Sequence, residues 1–158
     1  SFEGITEIRP GTYVFNDSDL LSLGVVSLND CALSVLASVV SRPSHDRVVF
    51  DAGSKTLSSD KQANCKIPGY GVIKGYPDIW IERLSEEHAI ARVQPNATAK
   101  WNTAAGRKSA DRIPEIGEKV QIVPNHACPV VNLFDRFIVT KNDTVIAEWR
   151  VQGRGRLA

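Results

Sequence analysis

The feature that most constrains this chain is the alternation Leu33-Ser34-Val35-Leu36-Ala37-Ser38-Val39. Successive side chains of a strand point to opposite faces, so Leu33, Val35, Ala37 and Val39 line one side. A strand with one solid apolar face needs other strands to cover it. The rest of the sequence provides them. A hairpin loop at Arg42-Pro43-Ser44-His45-Asp46 leads into a second β-rich run at residues 47–51. Residues 70–73 and 78–84 come next. Ser85-Glu86-Glu87 turns the chain, and residues 88–93 return. Residues 120–123 are a further strand, and residues 136–140 and 144–151 form a hairpin across Lys141-Asn142-Asp143. Residues 6–15 read as two extended pieces joined at Pro10-Gly11. Residues 20–28 are ambiguous between a loop and a short helix, and residues 94–110 read as a polar loop. Helical periodicity is nearly absent. About eight short strands with closely spaced turn signals predict a mainly β chain, an antiparallel β-barrel-like domain with short helical turns near Asn132 and Ser58.

Composition narrows the function. At 158 residues the chain is long enough for one domain with a sizeable core. A net charge of +1 gives no electrostatic footprint for nucleic acid or an acidic membrane. No apolar run approaches the length of a membrane-spanning helix. Cys31, Cys65 and Cys128 are an odd number at wide spacings, which fits a reducing, cytoplasmic setting. The chain begins without Met and contains none, as expected of a processed chain or an excised fragment. The sequons at Asn16, Asn96 and Asn142 read as chance.

One stretch carries potential chemistry. In Pro124-Asn125-His126-Ala127-Cys128-Pro129, a strand runs into a bend that presents a His and a Cys two residues apart. In an extended backbone, residues i and i+2 point to the same side, so imidazole and thiolate can meet on one metal ion, zinc first. Two protein ligands leave positions open for water or substrate, as in a catalytic site. The plainer alternative is a buried Cys beside a hydrogen-bonded His. Pro129 suits the first position of a helical turn continuing over Val130 to Phe134.

Four phrases, in order, make a resemblance. They are Ile8-Arg9-Pro10-Gly11-Thr12-Tyr13-Val14-Phe15-Asn16-Asp17, Asp51-Ala52-Gly53-Ser54-Lys55-Thr56-Leu57-Ser58-Ser59-Asp60, Leu84-Ser85-Glu86-Glu87-His88 and Pro124-Asn125-His126-Ala127-Cys128-Pro129. Together they resemble the carboxy-terminal portion of the D-serine dehydratase / D-threonine aldolase family. These are pyridoxal-phosphate (PLP) enzymes of the alanine racemase fold type. The resemblance implies a β-barrel domain over residues 1–158, with residues 1–13 at the junction to an amino-terminal α/β barrel that this chain lacks. It implies that His126 and Cys128 are the metal ligands and act in catalysis through the metal. It implies that Arg9 faces the cofactor ring nitrogen, and that Gly11 and Thr12 hold its phosphate. The alternative for Arg9-Pro10-Gly11 is a simple turn between strands. His88 sits either near the active site or in a solvated hairpin turn. Asp51 is most simply a turn-capping carboxylate. Lys55 is a poor Schiff-base candidate, since the family places that lysine in the missing barrel.

Two functions follow. The first is part of a metal- and PLP-dependent lyase that eliminates water from a D-3-hydroxy amino acid or cleaves its Cα–Cβ bond. It would be a homodimer when complete and inactive as this piece alone. The second is a non-enzymatic β-barrel module holding a structural metal or a partner.

Overall fold

The structure is a computed structural model that describes residues 3–63, 66–94 and 112–156. Six strands close into an antiparallel barrel: β1 (Val35–Ser44), β2 (Arg47–Phe50), β3 (Val72–Ile73), β4 (Ile79–Leu84), β5 (Ala89–Val93) and β6 (Lys119–Val123). The order around the barrel is β1-β2-β5-β4-β3-β6, and β6 returns to β1 through Val35 opposite Ile122 and Ala37 opposite Val120. Closure removes sheet edges that would otherwise pair with other chains. A separate hairpin, β7 (Arg136–Lys141) and β8 (Thr144–Arg150), follows the barrel. The mainly antiparallel β-barrel expected from the alternation is the fold observed. Val35, Ala37 and Val39 face inward while Leu36 and Val40 are exposed. Inside they meet Val48, Phe50, Ile81, Ala91 and Ile122, all but fully buried. No helix among the described residues is long and apolar enough to cross a membrane.

Among the described residues three α-helices decorate the barrel: α1 (Ser18–Leu23), α2 (Ser54–Leu57) and α3 (Ala127–Leu133). Helix α1 resolves the ambiguity at residues 20–28. Asp17 caps it by accepting from the Leu20 N–H at 3.2 Å, and Gly24 ends it at φ 76°. The expected extended pieces at residues 6–15 are not strands. Thr12–Val14 forms a short 3-10 turn instead, with the Val14 N–H on the Gly11 carbonyl. The β1–β2 hairpin is tighter than the expected five-residue loop. Arg42, Pro43 and Ser44 stay in β1, and Ser44 pairs with Arg47 across His45-Asp46. Two irregular steps in the register let Pro43 sit in the strand without a ladder donor. The polar loop expected at residues 94–110 lies, beyond Gln94, outside the described residues, as does Cys65.

Helix α2 explains two of the sequence phrases. Its first N–H groups, of Ser54 and Lys55, donate to the carbonyls of Ser85 and Glu86 in the β4–β5 turn. At Gly53 a Cβ would lie 2.3 Å from the Glu86 carbonyl oxygen, so only glycine allows this approach. Asp51 clamps the barrel wall, accepting from the Ser38 N–H at 2.6 Å. Lys55 pairs with Glu87 at 2.5 Å, and that carboxylate raises the pKa of the ammonium. His88 is exposed in the turn, where its N–H donates to Ser85 Oγ, so the solvated-hairpin reading is the one observed.

Candidate functional site

Strand β6 delivers residues 124–128 to one end of the barrel. The underside of this bend is a buried polar network. Asn125, 1% exposed, accepts from Ser18 Oγ at 2.7 Å and donates to the carbonyls of Asp60 at 3.0 Å and Gly69 at 2.8 Å. Gln62 donates to Ser18 Oγ and to its carbonyl, and accepts from the Ile67 N–H. Asp17 completes the set: its second carboxylate oxygen accepts from the Ala127 N–H at 2.9 Å. The Ser18 and Asp19 N–H groups donate to the carbonyls of Pro124 and Asn125. A small apolar cluster of Leu21, Leu28, Cys31, Ile67, Val72 and Val123 packs alongside. Burial pushes the Cys31 thiol up to about 11, so it is an inert core thiol.

His126 and Cys128 sit on the outer side of the bend. His126 is the extended N-cap residue of α3, and Cys128 already belongs to the first helical turn. The pair is therefore not on the continuous extended segment that the i, i+2 argument assumed. The side chains are outward because Ala127, between them, is buried at 1%. Cys128 is exposed, which excludes the buried-Cys alternative. Pro129 is the third helical residue, not the first; its missing N–H costs nothing there, since the first turn has no carbonyl partners.

The structure adds a residue whose role the sequence did not show. His126 Nδ1 lies 2.9 Å from Asp60 Oδ2. With Nδ1 held by a carboxylate, the imidazole keeps Nε2 for a ligand, the arrangement that orients metal-bound histidines. The donor set of one imidazole and one exposed thiol fits a borderline ion such as zinc. Among the described residues no group of three or more His, Cys, Asp or Glu side chains could enclose a metal. In the sequence Asp60 is only the last residue of the run from Asp51. Its signal, a carboxylate in a turn 66 residues from His126, is invisible in a sequence without a contact to pair it with.

The expected cofactor residues separate. Thr12 comes to the pair: its Oγ1 lies 3.7 Å from Cys128 Sγ. Arg9 does not. It is exposed and pairs with Glu7 at 2.6 Å. Gly11 is exposed, and a Cβ there would meet nothing within 4 Å.

Residues 32–140 match the family model described as "Putative serine dehydratase domain". The chain belongs to this family. A D-threonine aldolase of Arthrobacter sp is 32% identical over 95% of this chain, and the chain spans 35% of that protein. An uncharacterized protein of Mycobacterium tuberculosis is 35% identical over 90% of this chain, and the chain spans 98% of it. Among solved structures, D-threo-3-hydroxyaspartate dehydratase from Delftia sp. superposes with a TM-score of 0.71 at 29% identity, over 94% of this chain and 39% of that one. That enzyme has also been solved with a histidine replaced by alanine and with a cysteine, two positions further on, replaced by alanine. The cysteine variant was solved in the metal-free form. The chain thus spans little more than a third of the two relatives with named enzymatic activities.

Proposed function

We propose that this chain is the carboxy-terminal metal-site domain of a PLP- and divalent-metal-dependent lyase acting on D-3-hydroxy amino acids. The observation that carries the reading is the His126–Asp60 pair beside the outward Cys128 thiol, mounted on a fully hydrogen-bonded base. The His-x-Cys spacing matches that of the two residues replaced in the Delftia dehydratase, the cysteine variant of which was solved in its metal-free form. His126 Nε2 and Cys128 Sγ would hold the ion, and Asp60 would fix the imidazole tautomer. A bound divalent ion supplies Lewis-acid polarisation of the substrate β-hydroxyl. Thr12, at Cys128, brings the amino-terminal arm against the metal side of the site. In this reading Arg9 and Gly11 reach the cofactor only when the rest of a longer enzyme packs on that arm. The Schiff-base lysine belongs to that other part. Lys55 is unsuited to it, because a nucleophilic lysine needs a lowered pKa and Glu87 does the opposite. The complete enzyme is proposed to be a cytoplasmic homodimer, and the chain alone to be inactive.

The test is zinc affinity, by competition with a chromophoric chelator. His126→Ala and Cys128→Ser should abolish binding, and Asp60→Asn should weaken it about 10–100-fold. Binding should fall with falling pH, since both ligands must lose protons to coordinate. If both ligand variants keep the parent's affinity, the proposal fails. The mycobacterial relative, of which the chain spans 98%, favours a second reading: a metal-binding barrel module without lyase chemistry. Zinc binding without any absorbance change on adding PLP and a D-3-hydroxy amino acid to the longest natural form of the protein would favour it.

A further inference from the structure

The β7–β8 hairpin sets two like charges directly opposite each other. Arg136 is the cross-strand partner of Arg150. Facing like charges destabilise a strand pair. Glu148 relieves only one of them, pairing with Arg136 at 2.9 Å. The chain then folds back instead of leaving. The Val151 N–H donates to the Asp135 carbonyl, and tight turns at Val151–Arg154 and Gly153–Arg156 follow, with Gly155 at φ 72°. This return places Arg154 and Arg156 in the same cleft. Arg154 is anchored by Asp135 at 3.1 Å and by the Asn132 carbonyl at 2.5 Å. Arg150 and Arg156 have no carboxylate partner among the described residues. Four guanidiniums against two carboxylates line a cleft of about 510 Å³, in a chain whose whole net charge is +1.

We propose that this cleft binds the phosphate group of a small phosphomonoester. A dianion would neutralise the excess and relieve the Arg136–Arg150 opposition. Guanidinium forks match phosphate oxygens in pairs, which a lysine cluster would not do. The volume lies in the range of small-molecule sites and leaves room beyond the phosphate itself. The near-neutral remainder of the chain argues against an extended polyanion. The cleft is separate from His126 and Cys128, and the proposal does not rest on their metal.

The experiment is titration calorimetry on the purified protein at low ionic strength, with inorganic phosphate and adenosine monophosphate as probes. Expected are saturable one-site binding of both, about tenfold weakening in Arg150→Gln and in Arg156→Gln, and loss in the double variant. Glu148→Gln, which frees Arg136, should tighten binding, a gain no misfolded variant can give. Circular dichroism checks each fold. Three results would overturn the assignment: no saturable binding, a double variant that binds like the parent, or a Glu148→Gln variant that binds more weakly. Duplex DNA binding more tightly than either probe, and lost in the same variants, would also overturn it by making the cleft a polyanion contact.

Discussion

Asn125 is the residue whose loss the barrel end should feel most. Its amide joins three chain segments: Ser18 in α1, Asp60 in the loop after α2, and Gly69 ahead of β3. Asn125→Ala removes three hydrogen bonds from a site that is 1% exposed. At about 0.5–1.5 kcal/mol each, the bonds account for roughly 1.5–4.5 kcal/mol. The two abandoned carbonyls lose their donor, and the vacated volume adds to the cost. A loss of about 3–4 kcal/mol is expected, a large part of an ordinary domain's stability. In urea, with a slope of about 2 kcal/mol per molar, the midpoint should fall by about 1.5–2 M. Circular dichroism and tryptophan fluorescence read it.

Asn125→Asp separates the hydrogen bonds from the packing. The side chain keeps its shape, but an acceptor now faces the Asp60 and Gly69 carbonyls. At neutral pH the variant should be as damaged as the alanine. Acidification should restore part of the difference from the parent, because a protonated carboxyl can donate to one carbonyl. Midpoints within about 0.3 M of the parent for both variants would show that the network is incidental, and the reasoning would be wrong.

Three further outcomes are expected. Gly53→Ala forces its Cβ into the Glu86 carbonyl and should cost about 2–3 kcal/mol by shifting the β4–β5 turn, read as a lower thermal midpoint; an unchanged midpoint would show that the turn yields freely. Asp17→Ala removes both the α1 cap and the partner of the Ala127 N–H, for a loss of about 2–3 kcal/mol, and should raise hydrogen exchange at Leu20 and Ala127 above that elsewhere in the barrel. At alkaline pH the folded state holds two protons more tightly than the unfolded chain: burial pushes Cys31 up to about 11, and burial with the Glu118 hydrogen bond pushes Tyr76 up to about 12. Their stabilisation is complete below the ordinary values and is lost as pH rises through the folded ones. The urea midpoint should therefore decline above about pH 9, and less steeply in Cys31→Ala; equal slopes would remove Cys31 from the account.

The barrel was legible because its signal is local. Val35, Ala37 and Val39 alternate with Leu36 and Val40, and period two is a property of neighbours. The hairpin β7–β8 was legible for the same reason, with Asn142 and Asp143 both at positive φ in its turn. Helix α1 was half legible: Asp17 and Gly24 are an N-cap and a C-terminal stop, but six residues are too few for a period to emerge. Pro43 misled, because a proline reads as a loop unless the irregular register that accommodates it is known. At the site, the His126–Cys128 spacing was visible, while the geometric argument for it assumed a strand where the helix has begun. Asp60, Ser18 and Gln62 were invisible as partners, since nothing in a single sequence says that residues 18, 60, 62 and 125 meet.

That meeting bears on how a metal would be held. Asn125 and His126 are consecutive, and both grip Asp60: Asn125 through its backbone carbonyl, His126 through its carboxylate. A shift of Asp60 that would free the imidazole must therefore also break a buried amide bond. On the other flank, Asp17 ties the Ala127 N–H to α1, and the adjoining arm carries Thr12 to Cys128. Buried networks are costly when half satisfied and specific when complete. Here the side-chain groups of Asp17, Ser18, Gln62 and Asn125 all have partners. His126 and Asp60, and Thr12 and Cys128, are thus tied to one another across separate parts of the chain. Ordering of this kind lowers the entropic cost of binding an ion. A protein whose two metal-side residues needed the ion to come together would lose structure with it. In this chain, chelation of the proposed ion should leave the barrel and its end intact.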